Sequence, residues 1–181
     1  MMADTQWPRF MVFQKMNGKQ PWQHNGTVHA PDLEMALLNA RDVFMRRPDA
    51  VGLFVVPDAA IYKVTLEQLA SEAELPDSVE FSEEREILVF AKPHEQSACE
   101  LLGSVKAKSA LQALKKGQSE WGDSKALWWW LFPAEASLMN AEAEAESMFS
   151  AAREKSYKNS SEYHTVTMMR QLHSKGRLEE D

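Results

Sequence analysis

The chain has 181 residues and a mass of 20.6 kDa, with 27 acidic side chains, 20 basic ones and a net charge of −7. Its 44% hydrophobic and 26% charged residues are the balance of an ordinary globular protein. A nucleic-acid partner is excluded, because no basic cluster exceeds a pair such as Arg46-Arg47 and counterion displacement needs a basic face. No apolar run approaches the roughly 20 residues of a membrane helix, so no membrane association is expected. The stretch Met1 to Pro8 has neither a basic start nor an apolar core, so no export signal is expected. The single Cys99 can form neither an internal disulfide nor a multi-cysteine metal site, and a reducing cytoplasm is the expected compartment.

In chain order, Phe10 to Phe13 reads as an extended apolar segment followed by turn-forming residues. A second extended segment around Gly26-Thr27-Val28 completes a hairpin. Asp32, after Pro31, is a suitable N-cap for a helix whose apolar face carries Leu33, Ala36, Leu37, Ala40, Val43 and Phe44. The apolar strand Leu53 to Val56 follows and is stopped by Pro57. Between 62 and 86, Thr65-Leu66-Glu67-Gln68 has the form of a capping box and predicts a short helix, and Pro76-Asp77-Ser78 breaks the chain.

The same grammar then recurs. Leu88-Val89-Phe90-Ala91-Lys92 lies under Met11-Val12-Phe13-Gln14-Lys15 at an offset of 77. The same offset places Gly103-Ser104-Val105 under Gly26-Thr27-Val28, Ala113-Leu114 under Ala36-Leu37, and Trp121 under Phe44. One residue earlier in register, Trp129-Trp130-Leu131-Phe132-Pro133 answers Leu53-Phe54-Val55-Val56-Pro57. Ser109 takes the N-cap place, and Gly117 either weakens the second helix or admits a close neighbour. The expected fold is therefore α+β: two tandem strand-strand-helix-strand repeats, 10–59 and 87–135, forming a sheet-and-helix domain about a pseudo-twofold axis. Each unit is too small to bury its own core, so the two should cover each other, or join edge to edge, as homodimer subunits do. The expected organisation is a first repeat over 7–61, a linker with a short helix over 62–86, a second, divergent repeat over 87–135, and a C-terminal helix and polar tail over 136–181. The helix should run from Glu135 to Lys155, with Met148, Phe149 and Ala152 on its sticky side.

Residues that could carry chemistry are few. None of the five histidines sits in a His-Glu-x-x-His pattern, and no glutamate is followed three residues later by histidine, the spacing that paired di-metal sites use. His24 and His29 are an odd number of residues apart and would face opposite sides of a regular strand. No glycine-rich phosphate loop or Gly-x-Ser-x-Gly elbow occurs, and Cys99, a nucleophile in principle, reads as a buried or idle thiol without a paired base. In the run Trp128-Trp129-Trp130, alternation puts Trp129 opposite the other two, which reads as a buried strand before it reads as an interface. No catalytic residue, metal or cofactor is expected. The polar residues peculiar to the first repeat are His24, His29, Asn39, Arg41, Asp42, Arg46 and Arg47, and these are the candidate partner-binding residues.

One series of residues resembles a known family. Trp7-Pro8, Val12-Phe13, Lys15, His24-x-Gly26-Thr27-Val28-His29-Ala30, Asp32, Met35-Ala36-Leu37, Asn39-Ala40-Arg41-Asp42, Arg46-Arg47 and Val55-Val56 closely resemble the B subunit of the bacterial phenylacetyl-CoA epoxidase. The resemblance covers residues 7 to about 60, with Lys155-x-Tyr157-Lys158 and Tyr163 as a remnant of the family's tail, and Trp22 departs from it. It implies a tandem-duplicated member of the family and a non-catalytic structural or bridging subunit of a multicomponent oxygenase in phenylacetate degradation. The implied partners are the catalytic di-iron subunit and its structural twin, and a second copy of the chain is a further candidate, giving a homodimer. Two other readings stand beside it: a freestanding module binding an aromatic acyl-CoA, and an enzyme using His24 or His29 as a general base.

Overall fold

The structure, a computed structural model, describes residues 7–16, 18–45, 50–71, 75–78, 80–121, 126–140, 145–153 and 169. Arg46, Arg47 and the tail motif at 155–163 lie outside the described residues. The described elements are β1 (Arg9–Lys15), β2 (Gln23–His29), α1 (Leu33–Phe44), β3 (Gly52–Pro57), β4 (Tyr62–Thr65), α2 (Leu66–Ala70), β5 (Glu80–Lys92), β6 (Glu100–Ser109), α3 (Ala110–Trp121), β7 (Trp128–Pro133), β8 (Leu138–Met139) and α4 (Ala145–Arg153). Single 3-10 turns follow β3 and β7, at Asp58–Ala60 and Ala134–Ala136. The class is α+β, as the alternation of apolar segments predicts.

Local chemistry accounts for the boundaries. The Asp32 carboxylate accepts from Met35 N at 2.8 Å and starts α1, and the Ser109 hydroxyl accepts from Gln112 N at 3.2 Å in the first turn of α3. Thr65 and Gln68 form the full capping box of α2, with each side chain bonded to the other's backbone N–H. The expected long helix from Glu135 does not form. Asn140 fixes the chain there instead, its N–H donating to Leu53 O at 3.1 Å and its Oδ1 accepting from Leu53 N at 2.7 Å. This clamp holds Leu138–Met139 as a strand, and the helix comes later, at Ala145–Arg153.

All strand pairs are antiparallel, in the order β4-β7-β5-β6-β2-β1-β3-β8. The order reads alike from both ends outward from the β6–β2 junction, and the registers correspond. Phe10↔Val28, Val12↔Gly26 and Phe13↔His24 in the first hairpin answer Ile87↔Val105, Val89↔Gly103 and Phe90↔Leu101 in the second, each 77 residues on, with a bulge at the same place. At the junction, His24 N donates to Cys99 O and Leu101 N to Trp22 O, both at 2.9 Å. The segment 62–86, expected as a linker, supplies β4 and the start of β5. Moreover β4 pairs with β7 of the later half, through Tyr62↔Leu131, while β8 returns to β3 of the earlier half, through Val55↔Leu138. Each half thus lends its last strand to the other.

The sheet does not lie flat. Phe13 on β1 and Phe90 on β5 are three strand steps apart in the order, about 14 Å along a flat sheet, yet their ring centroids are 4.5 Å apart. The sheet therefore folds back on itself and places the β1/β3 and β5/β7 layers face to face. Between them lie Met11, Phe13, Phe54, Val56, Phe90, Trp130 and Phe132. Alternate residues of the same strands face outward to the helices. Phe10, Val12, Leu53 and Val55 meet Ala36, Leu37 and Ala40 of α1 together with Phe149 of α4. Ile87, Val89, Trp129 and Leu131 meet Ala113 and Leu114 of α3. Strands covered on both sides carry apolar residues on both, which is why the tryptophan run is a strand of the core. Trp129 and Trp130 are buried and Trp128, near the strand's start, is 42% exposed.

Candidate functional site

The bulge in the first hairpin decides where the histidines go. Phe13 lies opposite His24 and Val12 opposite Gly26, so Asn25 is an extra residue on β2. Asn25 turns to the helix side, where its Nδ2 donates to Oε1 of the buried Gln14. The extra residue resets the alternation. His24 and His29 consequently share the face of Phe13 and Arg9, which corrects the expectation of opposite faces.

The two histidines nonetheless have different surroundings. His24 sits between the two layers, edge-on to Phe13 at 5.5 Å and to Trp130 at 4.8 Å. Its Nε2 is buried without a hydrogen-bond partner, while the residue as a whole is half-buried. Burial holds this imidazole below its ordinary value; a bond to Gly26 backbone opposes that, Lys63 adds repulsion, and Asp58 acts the other way. The second half has Leu101 at this place. His29 is exposed, and its Nδ1 bonds the Trp7 carbonyl at 2.8 Å. Because a carbonyl only accepts, Nδ1 carries the hydrogen.

Around His29 the structure assembles residues that sequence reading missed. The β1–β3 register sets Phe10 opposite Pro57, which brings Arg9 beside Asp58 in the turn after β3. Arg9 donates to Asp58 Oδ2 through Nε at 3.0 Å and also through Nη2, while Lys63 of β4 donates to Oδ1. These two cations hold the Asp58 carboxyl below its usual range, against a burial effect that would raise it. Trp7, Pro8, Arg9, His29, Pro57 and Asp58 line an open groove of about 550 Å³, in which Trp7 is 60% exposed. The matching places in the second half hold Glu84, Glu86, Lys106 and Ala134, with Met139 in place of Lys63. The second half has its own ion pair at this end, where Arg85 of β5 donates to Glu135 in the turn after β7, but among the described residues no second cation shares that carboxylate.

The remaining expected site residues lie on α1. Asn39 Nδ2 donates to the His29 carbonyl at 3.3 Å and ties the helix to β2. Arg41 Nε donates to its neighbour Asp42 at 3.0 Å, an exposed pair worth about 0–1 kcal/mol. Val43, expected in the core, is instead exposed together with Met35 and Leu38. Gln112, Lys115 and Glu120 occupy the corresponding places on α3.

Two further features bear on chemistry. Burial pushes the Cys99 thiol up to about 12, so it stays protonated and unreactive at neutral pH. A cleft of about 360 Å³ lies by Ile61, Tyr62, Lys63, Phe81, Leu131 and Pro133. Among the described residues lining it, the one cation, Lys63, is committed to Asp58. Among the described residues no three His, Cys, Asp or Glu side chains are grouped so as to hold a metal ion. None of the described helices is long and apolar enough to cross a membrane.

Comparison with known proteins bears on the first half. Residues 6–79 match the family described as phenylacetic acid degradation B, a stretch that ends where β5 begins. The chain is similar to the B subunit of the 1,2-phenylacetyl-CoA epoxidase of Escherichia coli (strain K12), with 40% identity over 62 residues. Those residues are 33% of this chain, and the chain spans 63% of the length of that relative. No solved structure matches significantly. Over residues 6–79, the chain thus resembles the phenylacetic acid degradation B family.

Proposed function

We propose that the chain is a non-catalytic bridging subunit of a phenylacetyl-CoA epoxidase-type oxygenase, serving phenylacetate breakdown in the cytoplasm. The observation that carries this reading is the family match over residues 6–79, which includes the residues forming the groove. Its partners in this reading are the catalytic di-iron subunit and the structural oxygenase subunit.

The architecture in this proposal is a tandem duplication with a pseudo-twofold axis at the β6–β2 junction. Support comes from strand registers that recur 77 residues on and from the reciprocal loan of β4 and β8. The second half then occupies the position a second copy would take, so the chain works as a monomer and presents one partner-binding side. His29, Asn39, Arg41 and Asp42 belong to that side, with Arg46 and Arg47 following α1. The ligand-binding alternative gains little, because among the described residues the cleft beside Tyr62 has no uncommitted cation for the phosphates of an acyl-CoA.

An add-back experiment tests the function. Oxygenase and reductase subunits from the same organism, purified without this chain, should epoxidise phenylacetyl-CoA faster when it is added in stoichiometric amount. The chain alone should turn nothing over and should carry no stoichiometric iron. Turnover by the isolated chain, or oxygenase activity indifferent to its presence, would overturn the proposal.

A further inference from the structure

The groove at Trp7, Arg9 and His29 has a charge imbalance that points to the chemistry of what it binds. Asp58 is shared by Arg9 and Lys63, so three charged groups leave one net positive charge in a chain whose total is −7. Both carboxylate oxygens of Asp58 are taken, one by each cation. Among the described residues no second carboxylate pairs with Arg9 or Lys63. Arg9 is itself half exposed, with its side chain at 52%. Beside it Trp7 presents an apolar ring, and the bond from His29 to the Trp7 carbonyl fixes the backbone that carries that ring. Pro8 and Pro57 stiffen the walls on either side.

We infer that this groove is the docking point for an acidic segment of the oxygenase partner, in which an Asp or Glu carboxylate pairs with Arg9 and an adjoining apolar residue lies on Trp7. The inference deepens the proposed bridging role and rests on it. Arg and Trp are the residue types that dominate binding energy at interfaces, and a guanidinium can bond a second carboxylate through its free N–H groups. The second half supports the assignment by contrast. There Glu86 takes the place of Arg9 and Ala134 that of Asp58, and Arg85 is paired with Glu135, so the net positive charge of the groove is not repeated.

Two substitutions separate docking from folding, because both break the same ion pair. Arg9→Gln removes a cation from the groove, whereas Asp58→Asn removes the carboxylate and frees both cations. If the pair only holds the fold together, both variants should lower partner affinity in the same direction. If the groove docks a carboxylate, they should act in opposite directions: Arg9→Gln weakens binding by roughly fivefold, the upper range for an exposed pair, and Asp58→Asn strengthens it. The measurement is biolayer interferometry of the full-length chain on the immobilised oxygenase subunits, at low and high salt. Trp7→Ala should weaken binding with little change in melting temperature, and salt should weaken the wild type more than Arg9→Gln. Capture by the wild type with equal or parallel effects of Arg9→Gln and Asp58→Asn overturns the groove assignment and leaves the bridging role standing. Failure of the wild type to bind these subunits at all overturns the bridging role, and the assignment falls with it.

Discussion

A Cβ on Gly103 would meet Trp121 Cζ2 at 2.5 Å, inside any normal carbon–carbon contact. Gly26 stands in the same relation to Phe44, at 2.8 Å, and there the backbone φ of +151° disfavours a side chain as well. Both pairs are legible in the sequence as one spacing found twice, although the reason for it, an aromatic ring at the helix end lying across a strand, is not. Gly103→Ala should cost about 1–3 kcal/mol by overpacking, read from the urea midpoint, and Trp121→Leu in the same chain should recover most of it. Gly18→Ala, with nothing within 4 Å, is the control that should change little. His24 makes a second residue-scale prediction. Its folded-state value lies below the ordinary 6.5, so the unfolded chain takes up a proton first as pH falls. Stability is therefore full above the ordinary value and declines below it. Replacing His24 by leucine, the residue the second half uses, should flatten the loss between pH 6.5 and the folded-state value. An unchanged slope in the variant would contradict the burial of this ring. The groove was the least legible part of the chain, because Arg9 and Asp58 are 49 residues apart and meet only through the β1–β3 register.

At the scale of elements, the hairpins, α1, α3 and the apolar strands follow from local pattern and capping. The outer strands do not. Tyr62–Thr65 finds its partner at Trp128 to Leu131, far along the chain, and Leu138–Met139 is too short to show any alternation. What holds β8 is the Asn140 clamp on Leu53, a pair 87 residues apart. Asn140→Ala should strand the buried Leu53 N–H and cost about 1–3 kcal/mol. Hydrogen exchange should quicken in β3 and β8 while β5 and β6 stay protected. Uniform loss of protection across both halves would mean that the clamp supports the whole sheet instead. The tail offered a helix to sequence reading because Ala and Glu favour one, but a tertiary bond to β3 outweighs that preference over the first residues.

For the whole molecule, the reciprocal loan of β4 and β8 makes each half dependent on the other. Residues 7–61 expressed alone would leave Met11, Phe13, Phe54 and Val56 without their covering layer, and should aggregate or pair with a second copy. The intact chain has that cover built in and should stay monomeric by light scattering. The central claim is that a self-covered, duplicated chain acts as a one-sided subunit of the oxygenase. Native mass spectrometry of the full-length chain mixed with its purified oxygenase subunits tests it most directly. The account predicts a monomer of the free chain and a complex in which each chain binds oxygenase subunits at a single site. A stable homodimer of the free chain, or a chain that holds oxygenase subunits at both ends, would contradict it.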